Sequence, residues 1–436
     1  MPLNAPTRPC AWLEALFRLG VDAAHPRRVM PDAHDHPLST GRVRVVGAGK
    51  AAAAMARVLE DSWPADRPPP TGLVVTRYGH SVDLDAIECV EAAHPMPDQR
   101  GFEAAGRLLQ LAEDLRAGDH LIVLMSGGGS ALLTRPAPGL SLADKQAVSS
   151  ALLRSGAGIA GINTVRKHLS AIKGGRLALA AWPASVTGLM ISDVPGDDPA
   201  TIASGPTVAD ATTLADARGV LERYGITPSA AIRRHLESPA AETPKPGDRR
   251  LAAVENRVIA RSRTALEAMA AAARQAGVEP CILGDAIEGE SREVARDMAT
   301  TVRAVLARHH PVAPPCVLLS GGETSVTMRG NGRGGRNLEW LLAIAIALDG
   351  LDGVYALAGD SDGIDGTEAV AGACVTPGTL ARARAADIDP QRRLEDNDGY
   401  GFFEALGDCV VTGPTCTNVN DLRAILILDE RRPSVA

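Results

Sequence analysis

The chain is predicted to be α/β: two α/β domains with mainly parallel sheets flanked by helices and the active site in the cleft between the domains. Three observations predict this. Short β-rich runs recur at residues 42–46, 73–77, 121–125, 189–192, 317–320 and 354–358, each followed by a Gly- or Asp-rich turn and an Ala/Leu helical pattern. That is the grammar of α/β units. The runs LIVLM and CVLLS are almost continuously apolar, as strands covered by helices on both faces are. Finally, 436 residues exceed what one hydrophobic core usually serves.

In chain order, an apolar patch at residues 11–17, interrupted by Glu14, reads as an amphipathic first helix rather than a signal peptide. Sequence does not decide which domain it packs on. The segment SPAAETPKPGDRR at 238–250 breaks the pattern with Pro and charge and is the expected linker. Domains 1–248 and 249–436 follow. In the second, a helix over 263–277, the strand CIL and a helix over 291–308 precede the CVLLS strand.

Composition narrows the function. Hydrophobic residues at 45% and charged residues at 22% exclude a disordered or fibrous chain. The 44 glycines beside only 3% aromatic residues point to an aliphatic core and to ligand-cradling turns. A net charge of -7 without a long basic run argues against a nucleic-acid or anionic-membrane partner. No apolar stretch reaches the ~20 residues of a membrane helix. Seven cysteines without a CxxC pair read as free thiols in a reducing compartment, with the cytoplasm as the expected location.

The first chemical motif is VRVVGAGKAAAAMARVL, a strand, then Gly47, Gly49 and Lys50, then a helix. Glycines admit a ligand close to the backbone, helix-terminal N–H groups face it, and Lys50 adds a cation, so an anion belongs here. Arg44 and Ala51 exclude a Walker A loop. A GxGxxA dinucleotide reading survives in an NADP-like form, because the next strand ends in Arg77 rather than an acid. A second loop, Ser126, Gly127, Gly128, Gly129 and Ser130, forms a nest for phosphate or carboxylate oxygens. Ser126 as a nucleophile lacks the GxSxG pattern.

Asp193 follows a strand, with Asp197 and Asp198 in the next turn, and carboxylates beside phosphate suit Mg²⁺. Arg166, Lys167, Lys173 and Arg176 form a charge run that reads as a wet face or as cations for a small acidic substrate. His168 reads as a structural histidine, and His34 and His36 lack a third metal ligand. In the second domain Gly321, Gly322 and Glu323 follow a strand, and a Gly-rich segment from Gly330 to Asn337, carrying Arg333, Gly334, Gly335 and Arg336, precedes a helix that opens with Leu338. Guanidinium forks match phosphate oxygens. Asp360, Asp362 and Asp365 follow another strand without meeting the EF-hand form and read as a nucleotide- or metal-facing turn.

Taken together, VGAGKAA, HPMPD, MSGGGSALL, NTVRKHLSAIKGGRLA, SDVPGDDPATIASGPT, LSGGETSV, GRGGRNLE, AGDSDGIDG and TGPTCTNVND resemble the glycerate 2-kinase family, with its Rossmann-like first domain and MOFRL-type second domain. Cys416 stands where glycine is expected. The resemblance implies ATP- and Mg²⁺-dependent phosphorylation of D-glycerate to 2-phosphoglycerate by direct phosphoryl transfer, with Lys50 and Arg336 acting on the phosphoryl group from the two domains. Asp193 would bridge Mg²⁺ or orient the hydroxyl. The loop from Ser126 to Ser130 would hold phosphate or carboxylate, and Gly321, Gly322, Glu323, Gly334, Gly335, Asn337 and Asp360 would face nucleotide or metal. A homodimer is compatible with this reading. The alternatives are an NADPH-dependent hydroxypyruvate reductase and a nonenzymatic sensor of small acids or nucleotides.

Overall fold

The computed structural model describes residues 6–32 and 41–428. It divides into two compact units. The first holds Val29–Ser192 and Asp197–Ile259; the second holds the chain up to Arg28, Asp193–Gly196 and everything from Ala260 onward.

The first unit is built on strands β1 (Val43–Ala48), β2 (Thr71–Arg77), β3 (Ile87–Ala92), β4 (His120–Met125), β5 (Ser185–Ile191) and β6 (Val254–Ala260), in the order β3-β2-β1-β4-β5-β6. Pairings among β1 to β5 are parallel, as expected. Every residue of β4 is buried, which suits its unbroken LIVLM run, each such side chain contributing about 1.5–3 kcal/mol. This is the doubly wound order, in which the chain reverses direction across the sheet between β1 and β4 and ligands bind at the strand ends there. The sheet extends through β6, beyond residue 248.

Between β4 and β6 the chain adds a helical cluster. Helices Leu142–Arg154, Ile159–His168, Leu214–Arg223 and Ala230–Glu237 share a small core of their own that includes Leu152, Ile162, Leu221 and Leu236. Ser141 and Asp144 close a capping box at the start of the first of these helices, satisfying amides that would otherwise lack partners.

The second unit holds β7 (Glu279–Gly284), β8 (Gly289–Glu290), β9 (Cys316–Gly322), β10 (Thr324–Ser325), β11 (Val354–Asp360), β12 (Gly372–Val375), β13 (Cys409–Val410) and β14 (Asp421–Ile427). Strands β8 and β10 form a small ribbon, and the rest form a sheet in the order β13-β12-β11-β14-β9-β7. Parallel pairing predominates over the molecule, but this sheet departs from it. Only β7 with β9 is parallel, while β14 runs antiparallel to both β9 and β11, and β12 antiparallel to β11 and β13. The physical reason is β14, which enters the sheet centre against its neighbours; its residues are all buried, so an apolar run alone does not report strand direction.

Helix Pro9–Ala23 belongs to the second unit. It buries Trp12, Leu13, Leu16 and Phe17, and a Cβ at Gly20 would lie 2.7 Å from Met269 Sδ on helix Ser262–Gln275. Cys10 and Cys374 form a disulfide across 364 residues. Five cysteines remain free, so the expectation that all seven are thiols is corrected. Spacing could not reveal the pair, because the fold alone brings so distant a couple together.

Candidate active site

In the first unit the two glycine loops lie side by side at the switch point. Register pairs Ala48 with Met125, so β1 delivers Gly49 and Lys50 next to the residues that follow β4. Gly49 has φ +137°, and a Cβ there would lie 2.1 Å from Ser126 Oγ, a contact no other residue could make. The Lys50 amide donates to the Gly127 carbonyl at 2.9 Å, and the Ala51 amide donates to Ser126 Oγ at 2.9 Å. Ser126 therefore serves as the acceptor for an amide at the start of helix Ala52–Asp61 rather than as a nucleophile.

Gly47 packs against β4, where a Cβ would lie 2.6 Å from the Leu124 carbonyl, and a Cβ at Gly129 would lie 2.8 Å from the Ala48 carbonyl. A Cβ at Gly128 would lie 3.1 Å from His94 Cδ2 and 3.5 Å from Lys50 Cγ, so both side chains border this loop. His94 is pushed down to about 3 by burial and by the charges of Lys50 and Arg77. It is a neutral imidazole in a basic corner. Sequence reasoning had no role for His94 beyond its place in HPMPD. Ser130 Oγ meets Ser204 Oγ at 2.9 Å.

In the second unit the register of three strands gathers a carboxylate group. Asp421 pairs with Asp360 across β14 and β11 and with Gly322 across β14 and β9. Arg336, the first residue of helix Arg336–Leu348, inserts its guanidinium among them. Its Nε donates to Asp421 at 2.8 and 2.9 Å, one Nη to Glu323 at 2.8 Å and the other to Asp360 at 2.9 Å. Burial alone would lower its pKa, but Asp421, Asp360 and Glu323 outweigh that and raise it well above its ordinary value. Glu323 is pushed up to about 7 by burial and, against the pull of Arg336, by the charges of Asp193, Asp421 and Asp360. With 47% of its side-chain surface open, solvent moderates that push.

Asp193 joins this group: Asn418 Nδ2 donates to its carboxylate at 3.2 Å and Asn420 to its carbonyl. Beside Arg336 lies a cavity of about 230 Å³ lined by Thr324, Val326, Gly334, Gly335 and Glu339.

Other expected residues have different duties. Asn337 is fully buried, and its amide side chain binds Asp365 and Asp421; through Asp421 it supports Arg336 from within the protein. Asp365 accepts from the Asn337 and Leu338 amides at 3.0 and 2.9 Å and caps that helix. Asp362 accepts from the Ile364 amide, so the DSDGID turn satisfies its own backbone. Gly321 packs against Ser262, and Gly335 against Asp365.

Arg333 is paired with Glu368 at 2.6 Å. The charge run is not a wet face, since Lys173 is 1% exposed. His168 is structural, binding the Thr164 carbonyl at 2.8 Å and Glu242 at 3.0 Å. His34 and His36 lie outside the described residues. Sequence reasoning gives no role to Asp421, which pairs with Arg336. The TNVND segment contained Asp421, but only the strand register reveals its partners.

Fold and loops define a two-domain α/β protein with a Rossmann-like half and a MOFRL half. Residues 12–237 match a domain of unknown function, DUF4147, and residues 316–421 match the MOFRL family. D-glycerate 2-kinase of Thermotoga maritima is 39% identical over 414 residues, 95% of this chain and 97% of that one. An Agrobacterium vitis protein with the provisional name hydroxypyruvate reductase is 52% identical over 419 residues, 95% of this chain and 94% of that one. The crystal structure of glycerate kinase from Thermotoga maritima matches with a TM-score of 0.85 at 38% identity, covering 97% of this chain and 100% of that one. The chain belongs to the glycerate 2-kinase family.

Proposed function

We propose that the protein is a glycerate 2-kinase that transfers a phosphoryl group from ATP to D-glycerate, giving 2-phosphoglycerate. The observation that carries this reading is the pair of glycine loops at the β1/β4 switch point with Lys50 at their junction. Phosphoryl transfer requires positioning and charge neutralisation more than a covalent nucleophile, and Ser126 is already engaged. Lys50 and Arg336 supply positive charge to the transferred group, while the Ser126 to Ser130 loop cradles its oxygens.

Mg²⁺ takes one or two carboxylates beside substrate phosphates. Asp193 and Glu323, whose charges act on each other, fit that donor set and would hold it. When bound, the ion neutralises charge on the phosphate oxygens. Gly334 and Gly335, lining the 230 Å³ cavity beside Arg336, are the nucleotide-facing candidates, with Gly321, Gly322 and Asp360 shaping the adjoining strand ends. No helix among the described residues is long and apolar enough to cross a membrane.

The test is ADP release with ATP, Mg²⁺ and D-glycerate, with the product's phosphate position read by phosphorus NMR. Lys50→Ala is expected to lower kcat by about 10²–10³-fold, the cost typical of losing one charge-stabilising donor. Normal turnover in that variant would refute the assignment. A second reading, NADPH-dependent reduction of hydroxypyruvate, is favoured by the GxGxxA turn in a doubly wound sheet and by the Agrobacterium vitis relative's name. NADPH oxidation with hydroxypyruvate and no ADP would establish it instead.

A further inference from the structure

Three cations of the first unit act on one another, and no carboxylate among the described residues pairs with Lys145 or Lys173. Lys145 lies on helix Leu142–Arg154 in line with Val148 and Leu152, the residues that bury that helix. It is 6% exposed, and its ammonium has no hydrogen-bond partner among the described residues. Lys173 is buried as well, its ammonium donating to the Ser130 and Ala203 carbonyls at 2.9 and 3.2 Å and to Ser130 Oγ at 3.3 Å. Arg166, half-buried on helix Ile159–His168, completes the group. The charges acting on Lys173 are those of Lys145 and Arg166, and the charge acting on Lys145 is that of Arg166.

Neighbouring cations are treated differently. Lys167 reaches Asp210 at 3.4 Å, and Lys245 reaches Glu242 at 2.7 Å. A buried ammonium without a partner is costly, and three like charges together add repulsion. Such a cluster is relieved by a bound anion.

We propose that Lys145, Arg166 and Lys173 form the pocket that takes the carboxylate of a small hydroxy acid, next to the Ser126 to Ser130 loop. Lys173 ties the two together, because it touches Ser130 directly. Lys173 is held in place by the Ser130 and Ala203 oxygens, so the Lys145 ammonium is the group left to meet a carboxylate, with the Arg166 charge acting on it. Asn163, buried and linked through Ser204 to Ser130, fixes the wall on that side.

The assignment rests on the hydroxy-acid reading of the substrate, and the test separates the two. Titration calorimetry is run without nucleotide on the full chain, with D-glycerate, hydroxypyruvate and inorganic phosphate as separate ligands. Lys145→Met and Arg166→Gln should each weaken D-glycerate or hydroxypyruvate binding about 10–100-fold, the worth of a charge-assisted hydrogen bond, and leave phosphate binding as in the wild type. Arg166 is half-buried, so its variant keeps the test alive if Lys145→Met fails to fold. Both variants binding the hydroxy acids as tightly as wild type would overturn the proposal, as would a wild type that binds neither acid. Loss of phosphate binding alone would overturn it too, assigning the pocket to phosphate. Failure of the kinase reading has a different signature: a wild type that binds the acid but forms no ADP.

Discussion

Single side chains carry the sharpest consequences. Arg336 and Lys50 are both expected to matter for turnover, but their removal differs physically. Arg336→Ala would take a guanidinium from Asp360, 5% exposed, and would leave the fully buried Asp421 with Arg423, at 2.7 Å, as its salt-bridge partner. Breaking such a buried pair destabilises by about 3–5 kcal/mol, so its lost activity would be mixed with lost stability. Cys416 is the opposite case. Its φ is +57°, the left-handed conformation in which a side chain costs roughly 1–2 kcal/mol. Cys416→Gly should therefore raise the melting temperature; a fall would mean that the thiol's packing matters more than backbone strain.

Lys145 gives a pH signature. Burial and the Arg166 charge lower it to about 7 from 10.5. Between those values the unfolded chain binds a proton that the folded protein does not, so unliganded stability should rise with pH across roughly 7 to 10.5, by at most about 1.4 kcal/mol per pH unit. Denaturant midpoints measured over that range should show the slope, and Lys145→Met should reduce it, the remainder coming from Lys173, which burial lowers in the same direction.

At the scale of elements, legibility followed from how local the cause was. The Gly47, Gly49, Lys50 turn could be read because a strand, a close approach and a helix start lie within a few residues. The same holds for Gly321 to Glu323 behind β9. Asp421 could not be read in this way, since its role comes from β14 running against its neighbours. A strand's beginning then lies beside the ends of β9 and β11, whereas a search confined to strand ends looks past it. Lys145 was hidden for a related reason: in LADKQAVSSALLR it resembles any surface lysine, and only packing of helix Leu142–Arg154 turns it inward. Asn337 and Asp365 misled because a glycine-rich helix start needs acceptors for its own amides, a demand that competes with ligand binding for the same residue types.

Over the whole molecule, the disulfide fastens helix Pro9–Ala23 to β12. Such a crosslink is typically worth about 2–4 kcal/mol, and its reduction should lower the melting temperature of the second unit by roughly 5–10 °C. Thiol titration of the denatured, unreduced protein is the direct check. It should count the five cysteines left free; a count of all seven would mean that the bond is absent. The division into units also explains why a boundary drawn from composition is difficult to place: the second unit recruits the chain's first helix and the Asp193–Gly196 segment, neither of which sequence order assigns to it.

The placement of β14 has a bearing on biosynthesis. Because the last strand fills the middle of the second sheet, a nascent chain still on the ribosome has β9 and β11 exposed with a slot between them. The doubly wound half can close as soon as β6 emerges. Its companion, although it already possesses its opening helix, has to wait for β14 before its carboxylates and Arg336 can find one another.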